Sequence, residues 1–486
     1  RCLASGGSAR RGGLRADENA GVNGHVHFLG ICGYAVSGAA LLAREQGWQV
    51  SGSDDAAYPP TTDILTDAGV DWVDGSDPAN LDRWGTPDLV VVGNQTRAGN
   101  LEWLAARERG LPTSSEIEFY TRLAGDRLRI AVCGTHGKTT TSSLLAHMLA
   151  TSGMDPGFRL GSTSLDLGGS ARLGTGPFVF EGDEYTTAPW DSRPKFLHIA
   201  PHSACVTRLE LDHPDVYPTL DAYRAPFTEL AGSMPSDGLL VLCADDAECL
   251  ALREAASCRV VTYGTDTSAD LQVGPGDDDG FHQRFVVTTP PESVHVELTL
   301  PGVHNALNAT AALALARDAG APLAACVAAC ATFRGPSRRF EIAGEVAGVT
   351  VVDDYAHHPT EVASALSAAR ARYRRRRVIA IHTPHTYSRT LTLLDDYATS
   401  FADADVVILG PIEAARERGQ EATVSSADVA GRVGSAAVSV VDSSQAAIDR
   451  VLRIAHPGDV VVVLSLGGFD KLAPRLVAAL ETADVA

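Results

Sequence analysis

No apolar run in this 486-residue chain approaches the ~18–20 residues that a membrane-spanning helix needs. Basic charge is scarce relative to acidic: 40 Lys and Arg stand against 60 Asp and Glu, a formal net charge of −20. A surface that acidic repels phosphodiester backbones, which argues against general nucleic-acid binding, just as the missing apolar run argues against membrane insertion. The nine cysteines are odd in number and contain no CxxC pair. Several lie in apolar strand-like runs (Cys133 in RIAVCG, Cys205 in SACVTRL), so they read as buried free thiols of a reducing, cytoplasmic setting and not as a cysteine-bound zinc cluster. Residues 1–24 have no apolar core segment of the secretory kind and are expected to be a disordered leader. Solenoid-length repeats are absent too.

What is present is enough for about three domains at ~150 residues each, with 45% hydrophobic residues to build their cores. Short apolar runs that break at glycine alternate with helix-like segments: HVHFLG, DLVVVG and RIAVCG, then FVFE, SACVTRLELDH, GLLVLCADD and RVVTYG, then VTVVDDYA, RVIAIHTPH, DVVILGPI and DVVVVLSLGG. Strand–helix alternation of this kind predicts parallel sheets with crossover helices, an α/β architecture. The acidic stretch GPGDDDG is expected in a surface turn and NALNATAALALARDAG in a buried helix. The boundaries fall near residues 125 and 337, giving units 25–125, 126–337 and 338–486.

The most informative segment is Cys133-Gly-Thr-His-Gly-Lys-Thr-Thr140, which follows an apolar strand and opens an apolar-periodic helix. Small residues let backbone N–H groups crowd around phosphate oxygens, and the helix N-terminus adds a favourable dipole. Lys138 is expected to reach the β/γ-phosphates and the Thr139 hydroxyl to ligate Mg²⁺, although Val132 stands where the first glycine of G-x-x-x-x-G-K-[ST] belongs. Glu181 closes FVFE, and His213 closes the run VTRLELDH. Taken singly they are a surface acid and a structural histidine; beside a phosphate loop they become partners for Mg²⁺ or Mn²⁺. The loop Gly30-Ile-Cys-Gly33 through Ser37 and Gly38 also follows a strand and opens a helix, with Asp54 at the end of the next strand. That arrangement suggests a dinucleotide site, with glycine spacing that departs from G-x-G-x-x-G.

GTHGKTT, EGDEY, LELDHPD, HNALNA, RRFE and DDYAHHPTE occur in the order seen in the Mur ligases, the ATP-dependent amide ligases of peptidoglycan assembly, which this chain resembles from residue 25 to its C-terminus. The resemblance implies a Rossmann-like UDP-binding domain, a P-loop ATP-binding central domain and a Rossmann-like C-terminal domain. It implies that Gly134, Thr135, Gly137, Lys138, Thr139 and Thr140 cradle ATP, and that Asn305 contacts adenine, Asp354 the ribose and Arg339 the terminal phosphate. Thr139, Glu181 and His213 would hold the metal, with Lys138, Glu181, His213 and Arg339 the catalytic set. Gly30, Gly33, Ser37, Gly38, Asp54 and His136 would bind the UDP-sugar, and His357, His358 and Arg389 the incoming amino acid or peptide. GTHGKTT and DDYAHHPTE resemble the branch that uses UDP-N-acetylmuramate. Within it, GICG, Tyr58-Pro-Pro60, LDLGGSARLG, DSRPKF (Asp191 to Phe196) and SLGGF resemble the type that adds L-Ala-γ-D-Glu-meso-diaminopimelate in cell-wall recycling. PHTYSRT (Pro384 to Thr390) resembles the biosynthetic L-alanine-adding type, except that Thr386 replaces an arginine. The peptide-adding reaction of cell-wall recycling is the expected one, with the L-alanine-adding reaction or a specialised amide ligase as the alternative. Arg208 replaces a usual Asn, where it could pair with phosphate or Asp212, and Gly182 replaces a usual Ala without expected harm. Oligomeric state is not legible.

Overall fold

The computed structural model describes residues 24–57, 61–278, 282–289, 292–414, 417, 423–434, 436–467, 469 and 471–483. The expected leader (all but Gly24), Tyr58-Pro59-Pro60, the last two residues of GPGDDDG and Gly468 of SLGGF lie outside the described residues.

Three sheets follow one another along the chain. The first has five parallel strands in the order Asp71–Asp74, Gln49–Asp54, His25–Leu29, Leu89–Val92, Thr113–Ser115. Strand order reverses on either side of His25–Leu29, so the loop from Gly30 to Gly33 opens at the switch point where such sheets take ligands. The second sheet has eleven strands. Its parallel part runs Arg259–Gly264, Leu239–Cys243, Ser203–Val206, Arg129–Cys133, Phe178–Glu181, Gly157–Ser164. The phosphate loop leaves its central strand, Arg129–Cys133. The third sheet has six strands, with Val349–Asp354, Val460–Leu464, Val378–His382, Val406–Leu409 and Ala437–Val440 parallel and Glu341–Val346 as an antiparallel edge. The central strands read as continuous apolar runs because helices cover both faces, and their residues are fully buried.

Two local expectations are corrected. The strand that begins at Ser203 stops at Val206, so His213 lies well beyond a strand end, in a loop with φ +54°. GPGDDDG is not wholly a turn: Asp277–Asp278 pair antiparallel with Gln283–Arg284. The buried helix over NALNATAALALARDAG is found as Val303–Asp318, and eight of the nine cysteines are described, all free, seven of them buried. No helix among the described residues is long and apolar enough to cross a membrane.

Candidate active site at the domain seam

Gly134 and Gly137 shape the phosphate loop with φ +115° and +81°, backbone that L-residues rarely adopt. A Cβ at Gly137 would also stand 2.3 Å from Asn308 Oδ1, so the helix Val303–Asp318 presses directly on the loop. Lys138 opens the next helix. Its Nζ donates to Gly134 O at 2.6 Å, to Thr135 O at 3.1 Å and to Glu184 Oε1 at 2.8 Å. Thr139 donates its hydroxyl to Glu181 Oε1 at 2.8 Å, and Glu181 Oε2 accepts the Gly161 N–H at 2.6 Å. Arg159, itself buried against Glu116, donates to the Glu181 carbonyl at 3.0 Å.

Glu184 is a site residue that sequence reasoning passed over, though it stands in EGDEY. Burial raises its carboxyl to about 7 against the opposing pull of Lys138. A carboxyl raised in the fold binds its proton more readily folded than unfolded. Its contribution is therefore intact below the ordinary value of 4.5 and is lost as pH rises through about 7. Glu184→Gln should remove that loss. Unfolding free energies of parent and variant from denaturant titrations should diverge by ~3 kcal/mol between about pH 4.5 and 7, in the variant's favour; parallel curves would contradict the raised carboxyl.

Gly182 proves to be matched to a neighbour. A Cβ there would lie 2.4 Å from Cys133 Sγ and 3.1 Å from Phe196 Cβ, so the smaller residue accommodates the thiol under the loop. Gly182→Ala should cost about 1–3 kcal/mol by overpacking, and Cys133→Ala in the same chain should recover most of it. Additive losses in a chemical-denaturation cycle would show that the two positions do not touch.

On the opposite wall, Arg338 and Phe340 both have positive φ (56° and 53°). This turns Arg338 back onto Asp353 at 3.1 Å and leaves Arg339 facing a pocket shared with Thr139 of the phosphate loop, 3.7 Å from Glu361 Oε1 and over the Tyr355 ring. Asp354 lines the same pocket, but both its oxygens accept backbone N–H groups, from Phe340 at 2.7 Å and Ala356 at 2.8 Å; burial raises it to about 6. Asn305 lines it too, holding Pro301 O at 2.8 Å and accepting from Asn308 at 3.3 Å. Thr140 and Arg208 complete the rim. The acids near Arg208 are Glu210 and Asp246, each 3.8 Å away, and not the anticipated Asp212.

Asp212 is instead bound to Arg389 across the seam, at 2.8 Å to Nε and 2.7 Å to Nη2. Arg389 is 2% exposed and also donates to His213 Nδ1 at 2.9 Å; its Nη1 is 3.1 Å from His385 Nδ1. Burial, reinforced by Arg389, lowers His213 to about 4 despite Asp212, so the ring is neutral with its proton on Nε2. His357 meets Glu361 at 3.3 Å and stands ring to ring with His385. His136, expected at the UDP-sugar, faces other partners: Nε2 contacts Glu210 and Nδ1 lies 3.3 Å from Glu361. Burial opposes its charge, but the two carboxylates hold it up at about 9. His358 packs against the same ring, at 4.8 Å between centroids.

In the first domain, Gly30 (φ +75°) donates to Ser53 O at 2.8 Å. Asp54 accepts the N–H groups of Cys32 and Ala56, both at 2.8 Å, so it braces the loop over Gly30 and Gly33. Ser37 caps back onto Tyr34 O at 2.9 Å, and a Cβ on Gly38 would strike Tyr120 Oη at 2.5 Å.

A phosphate loop between two Rossmann-like units, with cationic and carboxylate groups converging from both sides of one seam, suits an enzyme that transfers a phosphoryl group. The Mur ligase catalytic-domain profile matches residues 25–127, the Mur ligase middle-domain profile 132–316 and the Mur ligase glutamate-ligase-domain profile 338–467. The chain belongs to the Mur ligase family. It is 38% identical to a UDP-N-acetylmuramate–L-alanine ligase of Chloroflexus aggregans over 94% of this chain and 98% of that protein. A Kineococcus radiotolerans protein of the same name is 40% identical over 93% and 95%. Among solved structures, a murein peptide ligase from Psychrobacter arcticus matches with a TM-score of 0.72 at 31% identity, covering 95% of this chain and 100% of that one. A UDP-N-acetylmuramate–alanine ligase from Thermotoga maritima matches with a TM-score of 0.75 at 25% identity, covering 93% and 98%.

Proposed function

We propose that the enzyme joins the lactyl carboxylate of UDP-N-acetylmuramate to the amine of L-alanine. A carboxylate is a poor electrophile, and ATP remedies this by converting it to an acyl phosphate, which the amine attacks with loss of phosphate. Lys138 and Arg339 stand on opposite walls where the transferring phosphoryl group would pass, and they neutralise the charge that spreads over it. Thr139 and Glu181 bring oxygen donors together as a hard cation requires, so the residues fit Mg²⁺ or Mn²⁺, which would supply further neutralisation of phosphate charge. His213 would join them through Nε2 once Arg389 releases its Nδ1 and the ring proton changes nitrogen.

The observation that carries the choice of amine is the internal pairing of DSRPKF, the segment that most resembles the peptide-adding type. Asp191 binds Arg193 at 3.0 Å and His198 at 3.1 Å, while buried Lys195 binds Asp183 at 2.8 Å and lies 3.7 Å from Glu116. Each of these charges is matched within the protein, so the segment acts as a strut between the first two domains. On the acceptor side, Arg389 and His385 are both buried, with Nη1 3.1 Å from Nδ1, and an acceptor carboxylate would compete with Asp212 for the guanidinium. Relatives named as L-alanine ligases over nearly the whole chain support the same reading. The tripeptide remains the second reading, favoured by the likeness to the murein peptide ligase.

The deciding experiment is phosphate release with ATP, Mg²⁺ and UDP-N-acetylmuramate, supplying L-alanine or the tripeptide as separate amines. Stimulation by L-alanine alone is expected. Stimulation by the tripeptide alone would transfer the enzyme to the recycling type.

A further inference from the structure

Outside the Thr139–Glu181 pair, a second group of ligand-type side chains meets at the seam, and it is chemically unlike the first. Donor atoms of His136, Glu210 and His358 all lie within 4.8 Å of one another. His136 Nε2 contacts Glu210, and His358 Nδ1 stands 3.8 Å from Glu210 Oε1. Two imidazoles and one carboxylate suit a borderline-soft transition metal better than Mg²⁺, which prefers oxygen donors and retained water.

Two further observations point to a ligand. The opposite nitrogen of the His136 ring, Nδ1, lies 3.3 Å from Glu361 Oε1. A carboxylate that holds one imidazole N–H in this way is the usual outer support of a metal-binding histidine, and a metal at Nε2 would take the place of the proton that His136 now shares with Glu210. His358 is 3% exposed: its Nδ1 accepts one N–H, from Thr360 at 3.2 Å, and its buried Nε2 has no hydrogen-bond partner among the described residues.

We propose that His136, Glu210 and His358 form a transition-metal site of the Zn²⁺ class, distinct from the catalytic Mg²⁺ position, with Glu361 as its outer support. The site supplies three ligands, and His136, with Glu361, lines the pocket that also holds Thr139 and Arg339. His136 and Glu210 come from the P-loop domain, while His358 caps the first helix of the C-terminal domain, Pro359–Arg372. A bound metal would therefore tie the two domains in the arrangement seen here.

The test uses the full chain without nucleotide or sugar, so its outcome is independent of which amine the ligase takes. Zn²⁺ affinity is measured by competition with a chromophoric chelator under excess Mg²⁺, and Co²⁺ is substituted to read coordination from its visible absorption. One Zn²⁺ per chain that excess Mg²⁺ does not displace, and an intense tetrahedral Co²⁺ spectrum, are expected. Glu210→Gln and His358→Gln should each weaken Zn²⁺ at least tenfold. Glu361→Gln, which keeps all three ligands, should weaken it about tenfold through the outer support, and Glu181→Gln should leave it unchanged. Circular dichroism checks that each variant is folded, and Glu361→Gln carries the test if a ligand variant is not. Zn²⁺ binding that survives all three seam variants, that is lost in Glu181→Gln, or that never reaches one per chain would overturn the proposal.

Discussion

Lys138→Ala should lower kcat by about a thousandfold or more while the protein remains folded. The loss corresponds to about 4 kcal/mol of transition-state stabilisation, the scale seen when a preorganised donor is removed from developing charge in a water-poor site. Lys138 lies at the first turn of its helix with side chain 16% exposed, where its three hydrogen-bond acceptors hold it over the loop. Folding survives because the group left behind, Glu184, already sits near neutrality in its pKa and can take up a proton instead of remaining a buried, unpaired anion. Amine-dependent ADP release in the variant is the readout, and turnover at the parental rate would remove the phosphate-loop assignment altogether.

Arg389→Ala should have the second largest effect, and it should fall more heavily on the amine than on ATP. The guanidinium is the cation of a buried cluster that ties Asp212 and His213 of the middle domain to His385 of the C-terminal domain. Removing one partner of a buried ion pair typically costs 3–5 kcal/mol, because the remaining charge is neither solvated nor paired. Here the cost falls on the docking of two separately cored domains. The variant should keep its folded domains and lose the closed arrangement. An acceptor carboxylate would lose its cation at the same time, so the KM for the amine should rise by about a hundredfold or more, well beyond the rise that weaker docking brings to the KM for ATP. Arg389→Lys should fall in between, since an ammonium keeps the charge without the two-pronged contact. An unchanged KM for the amine in Arg389→Ala would place acceptor recognition elsewhere.

How much of this could be read from the chain depends on how far apart the interacting residues are in sequence. The phosphate loop was legible because its chemistry is local: strand, two left-handed glycines, Lys138 and Thr139 lie within a dozen residues, and each does its work through its own backbone. RRFE was legible as a motif. Its function of aiming Arg339 depends on positive φ at Arg338 and Phe340, and no residue preference announces that. Glu184, Glu210, Glu361 and Asn308 were passed over for a different reason. Each is an ordinary polar residue in its own segment and becomes a site residue through a partner far along the chain, as Glu361 does through His136, 225 residues away. Whether the charges of DSRPKF face a ligand or the protein is likewise set by partners outside the segment, Glu116 and Asp183.

By itself, then, the sequence determined the three-sheet α/β plan, the P-loop and membership of an ATP-using ligase family, because apolar period, glycine placement and short motifs act over a few neighbouring residues. The tertiary structure alone decided which carboxylate holds which cation: Glu184 with Lys138, Asp212 with Arg389, Glu210 and Glu361 with His136. Those pairings arise where crossover connections bring the ends of different sheets into one low-dielectric seam, and there the protonation state of each group is set by neighbours that the linear order keeps apart.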